Sequence, residues 1–137
     1  MRLWLLGLLP ILLTSCVPGA NGRATGAPRR EYALPPTQVR VAVIDTFQAM
    51  ALPIESQRGE TVIESEWAYV GRGHPREQAR LRVEVRGAGD HAVVLAHAQH
   101  QVEVRRGLRT EWEPRESYGR VEQEFLDRLD VRCGVIK

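Results

Sequence analysis

The segment that most restricts the fold is residues 80–86, where Arg80, Arg82, Glu84 and Arg86 alternate with Leu81, Val83 and Val85. A period of two places the charged groups on one side of an extended strand and the branched apolar groups on the other. Such a strand cannot bury its apolar side alone. It needs neighbours to widen that side and a second layer to cover it. Gly87-Ala88-Gly89-Asp90 supplies a turn. From Ala92 to Arg106 a second alternation puts Val94, Ala96, Ala98, His100, Val102 and Val104 inward and Gln99, Gln101, Glu103 and Arg105 outward. Arg and Glu on the outward sides suit cross-strand pairing on the wet face of an antiparallel sheet.

The flanking segments carry helical periods. After Pro35-Pro36, Thr37 can cap a helix bearing Val39, Val43, Phe47 and Met50 at steps of four, four and three, with Pro53 as its stop. The rival is a strand through Val39, Val41 and Val43, where β-branched residues are dense; the apolar period that continues from Asp45 to Leu52 favours the helix. A turn at Arg58-Gly59 precedes a strand from Thr61 to Val70, with Ile63, Trp67 and Tyr69 on one face and Glu64 and Glu66 on the other. A loop holding Gly107, Trp112 and Pro114 leads to a last helix, where Tyr118, Val121, Phe125 and Leu129 recur every three or four residues and Glu122, Glu124, Asp127 and Arg128 form the polar face. The expected fold class is therefore α+β: a two-layer domain in the order helix, three-stranded antiparallel meander, helix.

The chain begins Met1-Arg2 and then runs almost wholly apolar from Leu3 to Leu13, a positive n-region and an h-region of signal-peptide length. Eleven helical residues rise only about 16 Å, roughly half a bilayer's hydrocarbon core, and Pro10 interrupts them. Leu13-Thr14-Ser15-Cys16 follows directly and resembles the lipobox of bacterial lipoproteins. The resemblance implies cleavage between Ser15 and Cys16, a diacylglycerol on the Cys16 thiol and an acyl group on its new amine. Several acyl chains make attachment stable where one would be marginal. By the sorting rule of enteric lipoproteins, Val17 in place of Asp after the cysteine implies the outer membrane, facing the periplasm. Residues 1–15 are then a signal peptide, 16–36 a lipidated cysteine and flexible Gly/Pro/Ala-rich tether, and 37–137 one envelope domain.

With Cys16 lipidated, Cys133 is the one thiol left and no internal disulfide can form. It reads as a small apolar filler near the last helix. Loss of Arg2 leaves eighteen basic residues against seventeen acidic, a balance that argues against nucleic acid as a partner. Lys137 is the sole lysine, so arginine carries the positive charge, which reads as base composition of the gene and not as a binding surface.

Ala51-Leu52-Pro53-Ile54 at a helix end, the Arg58-Gly59 turn, the Val62-Ile63-Glu64-Ser65-Glu66-Trp67 strand and the Arg80 to Arg86 strand after it together resemble the small domains of BamC (NlpB)-like lipoproteins. The similarity runs over about Thr37 to Val131. It implies a helix, a Gly turn, a strand ending near Trp, two more strands and a closing helix, and a link to outer-membrane barrel assembly. BamC has two such domains and a long N-terminal segment; here there is one domain on a short tether.

Chemistry is harder to find. His74, His91, His97 and His100 invite a metal site, but residues three apart on a strand point to opposite faces, and His91 and His97 lie about 20 Å apart along an extended strand. No metal and no cofactor is expected, and His100 reads as a hydrogen-bonded core residue. Ser56, Ser65 and Ser117 lack an elbow motif, and Glu64/Glu66 and Glu111/Glu113 read as solvated decoration, so no catalytic residue is assigned. Trp67 and Tyr69 read as core, and Trp112 is the candidate contact for a partner protein. The functional expectation is a lipid-anchored envelope accessory protein, not an enzyme, that offers a sheet edge or loop to an envelope protein. The alternative is a carrier of lipid or a small hydrophobe in a pocket lined by Val43, Phe47, Trp67 and Phe125.

Overall fold

The computed structural model describes residues 27–135. The signal segment with Ser15 and Cys16 lies outside them. The described chain builds β1 (Arg29–Tyr32), α1 (Pro36–Ala49), β2 (Ile54–Arg58), β3 (Val62–Ser65), β4 (Ala68–Tyr69), β5 (Glu77–Ala88), β6 (His91–Arg106), β7 (Arg109–Arg115) and α2 (Arg120–Arg132). The three-stranded meander between two helices is thereby corrected. One seven-stranded, wholly antiparallel sheet runs β1-β6-β5-β3-β2, with β7 also on β6 and β4 also on β5.

The long β5–β6 hairpin is the spine. Its twelve paired positions, Glu77↔Val102 to Ala88↔His91, follow from the two alternations seen in sequence. Both helices pack on one face of it and on each other. Ala79, Leu81, Val83 and Val85 of β5 and Ala92, Val94, Ala96 and Ala98 of β6 form the floor of the core, under Val39, Val43 and Phe47 of α1 and Val121, Phe125, Leu126 and Leu129 of α2. The Phe47 and Phe125 rings meet edge to face at 5.4 Å between centroids.

Three strands differ from the expectation. Arg29–Tyr32, placed in the tether, pairs with β6 as Arg29↔Leu95 to Tyr32↔Ala92. It is stapled to α2: the buried Tyr32 hydroxyl donates to Asp130 at 2.8 Å, and Arg30 Nε lies 3.5 Å from the same carboxylate. Burial, and then the Asp130 carboxylate, push the Tyr32 phenol far above its ordinary range, so it stays a donor. Ile54–Arg58 forms edge strand β2, and the expected loop around Trp112 is strand β7, with Trp112 opposite Glu103.

The expected strand from Thr61 to Val70 is broken by a bulge. Pairing shifts by one residue between Glu64↔Arg82 and Ala68↔Ala79. A one-residue slip flips each later side chain to the opposite face. Ile63 and Ser65 therefore face the core, whereas Tyr69, of the same parity, faces out and is 64% exposed. Trp67 sits half-buried in the break. Both aromatics were expected in the core, and the bulge is why neither fills it.

The helix ends also differ from the expectation. Pro35 and Pro36 start α1 without a side-chain cap from Thr37. Instead of running to Leu52, α1 closes with Leu52 N–H to Phe47 O at 2.9 Å, Ala51 N–H to Gln48 O at 3.0 Å and Ala51 left-handed at φ +53°, a Schellman end. At α2, Tyr118 precedes the helix and is exposed, while Glu122, expected on the polar face, is buried. Its carboxylate accepts the Ala98 N–H at 3.1 Å and the Ser117 hydroxyl at 2.7 Å. That contact lies where the outer edge of β6, away from β5, has no strand neighbour, between the stretches paired with β1 and β7.

Candidate functional site

The spine outruns its helical cover. Beyond Ala98 the sheet continues through the rest of β6, β7, the start of β5 and β4, and its inward positions His100, Val102 and Val104 are only half-buried. His100 Nε2 finds no hydrogen-bond partner among the described residues, contrary to the expectation of a bonded core histidine. This distal end holds the most organised surface cluster.

On the face away from the helices, the register brings Tyr69 beside Gln78 and Glu103 beside Trp112. The Tyr69 and Trp112 rings lean over the intervening strands to 6.1 Å between centroids, tilted by 49°. Beneath them Gln78 donates to Gln101 at 2.8 Å. The Arg76 guanidinium lies 5.6 Å from the Tyr69 centroid and holds Glu103 bidentately at 2.7 and 2.8 Å. These bonds draw the Glu103 carboxyl below its usual range and push Arg76 up, so both stay charged through the neutral range. A cleft of about 530 Å³ adjoins the cluster, lined by His74, Pro75, Arg76, Glu103, Arg105 and Thr110.

The arrangement offers flat apolar rings, a cation fixed in direction and an anion already paired. That combination suits docking of a partner with apolar and polar groups side by side. Of the residues singled out in sequence, Trp112 belongs to the cluster, and Tyr69 joins it only because of the bulge. Arg76 carried no sequence signal beyond its place after Pro75.

The other candidates are dispersed. His91 and His97 are exposed on the sheet, His74 lines the cleft, and no group of three metal-ligating side chains occurs among the described residues. Ser65 Oγ accepts the Leu81 N–H at 2.9 Å and donates to Glu66 O at 2.8 Å, and Ser117 donates to Glu122. Glu64 is not solvated decoration: it is buried and paired with Arg80, which also reaches Glu55. Glu111 and Glu113 both face Arg106, with Glu111 at 3.6 Å. Cys133 is half-buried beside the core, and burial, reinforced by Asp130, pushes its thiol up.

The pocket foreseen between helices and sheet is filled. Val43, Phe47 and Phe125 are fully buried in mutual packing, while Trp67 lines a surface cleft with His97, His100 and Ser117 instead. No protein-family model matches the chain, and no curated protein matches its sequence.

Proposed function

We propose that this chain is a lipid-anchored accessory protein of the cell envelope, held through Cys16, which binds a partner protein with the open sheet face around Trp112 and Tyr69. The apolar leader and Leu13-Thr14-Ser15-Cys16 support the anchoring half of the reading. One observation carries the binding half: an aromatic pair, Tyr69 exposed and Trp112 half-buried, beside a fixed Arg76–Glu103 ion pair, on the part of the sheet that the helices leave uncovered. Tyr, Trp and Arg are the residue types that dominate binding energy at protein interfaces.

Docking through the face is favoured over strand addition. The outer edge of β6 is taken by β1 and β7, with Pro28 O accepting from Ala96 N–H at 3.0 Å and Glu122 satisfying Ala98 between them. The edges left are those of short strands: β1, β2 and β7 carry charge, β7 carries Pro114 as well, and β4 is only two residues long. Such features discourage pairing with another chain.

Photo-crosslinking from position 112 in intact envelopes, followed by identification of the captured protein, tests the reading. A single envelope protein should be recovered, and Trp112→Ala should weaken its co-purification by roughly 30-fold, about 2 kcal/mol. Undiminished co-purification of the same protein with Trp112→Ala would remove the face from the account. Recovery of barrel-assembly components would assign the process.

A further inference from the structure

The β6–β7 hairpin ends in Arg105-Arg106-Gly107-Leu108-Arg109. Gly107 has φ +64° and Leu108 a negative φ, the pattern of a type II′ turn with glycine first. The turn holds Leu108 fully out in solvent at 107% relative exposure, the most exposed large apolar side chain among the described residues. Arg105, Arg106 and Arg109 surround it, all exposed. Arg106 is paired with Glu111 and Glu113, whereas Arg105 and Arg109 make no ion pair among the described residues.

Local stability does not account for this tip. Arg106 and Arg109 stand directly opposite each other in the register, and like charges so placed destabilise a hairpin. An apolar residue at the turn gains nothing from the fold it projects from. Arg72 adds another exposed cation on the β4–β5 loop, whose His74, Pro75 and Arg76 line one cleft with Arg105 and Thr110.

We infer that this tip docks on a bilayer surface bearing anionic phosphate headgroups, with Leu108 entering the interface and Arg105 and Arg109 meeting the phosphates. A leucine ringed by arginines matches the boundary between acyl chains and charged headgroups, where basic residues are drawn to the surface potential. The orientation also fits. β1 runs antiparallel to β6, with Arg29 opposite Leu95, so the chain preceding β1 enters from the side on which the hairpin tip lies. From Leu95 to Gly107 the strand covers about 40 Å. The thirteen-residue step from Cys16 to Arg29 can span at most about 45 Å, so a chain held at Cys16 can set the tip on the same membrane. This orientation argument rests on the anchoring reading above; the chemistry of the tip does not.

The test uses the full mature chain in vesicles with Cys133→Ser and a small fluorophore on Leu108→Cys, compared with one on Asp90→Cys at the opposite end of β6. Lipids carrying a quencher at the depth of the upper acyl chain report contact. Quenching at position 108 should exceed that at 90 severalfold in phosphatidylglycerol-containing vesicles. It should fall to the level of 90 in purely phosphatidylcholine vesicles, in roughly 0.5 M salt, and with Arg105→Glu and Arg109→Glu together, while circular dichroism stays unchanged. Equal quenching at 108 and 90, or equal quenching at 108 in neutral and anionic vesicles, overturns the inference. The mass of the same protein shows whether Cys16 is acylated, so a failure of anchoring is read separately from a failure of the tip.

Discussion

Phe125→Ala should lower the stability of the domain by about 3–5 kcal/mol, which for a chain of this size means a melting temperature lower by roughly 15 °C. Phe125 is fully buried and meets Phe47 edge to face, so its loss removes contact with both α1 and the sheet floor. The cavity would lie where the helices join, a site that cannot collapse without moving α1 against α2. Val131→Ala on the same helix is the matched control. Val131 is 77% exposed, and its truncation should change stability by less than about 0.5 kcal/mol. Thermal and denaturant unfolding followed by circular dichroism measure both. A Phe125→Ala protein as stable as Val131→Ala would contradict the packed core and reopen the space between the layers to a ligand.

Gly87→Ala should cost about 3 kcal/mol or more, although it adds a single methyl group on a solvent-exposed stretch. Gly87 lies opposite Ala92 where the spine enters its turn, with φ +138°. A Cβ there would stand 2.1 Å from His91 O and 2.9 Å from Ala92 Cα, both backbone atoms that cannot yield without opening the hairpin. Gly89, two residues on, separates strain from clash. It has φ +57° and open space around the missing Cβ, so Gly89→Ala should cost only about 1–2 kcal/mol. The difference between the two denaturation midpoints is the measurement. Equal midpoints would mean that the spine does not turn as described.

What could be read in the sequence was what repeats. The alternations of 80–86 and 92–106 gave the spine, its turn and its inward face, because a half-buried strand writes its environment into every second residue. The stripes Val39-Val43-Phe47 and Val121-Phe125-Leu129 gave the helices and the residues that cover the sheet. Arg29–Tyr32, Ile54–Arg58 and Arg109–Arg115 carry no such pattern. Edge strands are defined by the strand they pair with and hold charge outward, so RREY, IESQR and RTEWEPR look like tether, turn and loop until β6 or β3 is set beside them.

The candidate site was legible in one residue and hidden in the rest. Trp112 stood out as an aromatic with no apolar period around it. Parity alone places Tyr69 in the core, and only the bulge between Glu64 and Ala68 turns it out toward Trp112. No spacing rule announces a bulge in a strand whose two faces both contain apolar residues. Glu122 was misplaced for a related reason. A carboxylate at a helical polar position looks solvated until the unpaired Ala98 N–H beneath it is known.

Attachment decides how the domain works, because a compact fold with an aromatic pair on its open face and a basic tip acts differently on a membrane than in free solution. Intact mass spectrometry of the mature protein tests this most directly. The expected product begins at Cys16, lacks residues 1–15 and carries the added mass of a diacylglyceryl group with a further acyl chain. A product that still begins at Met1, or one whose Cys16 bears a free thiol, would contradict it.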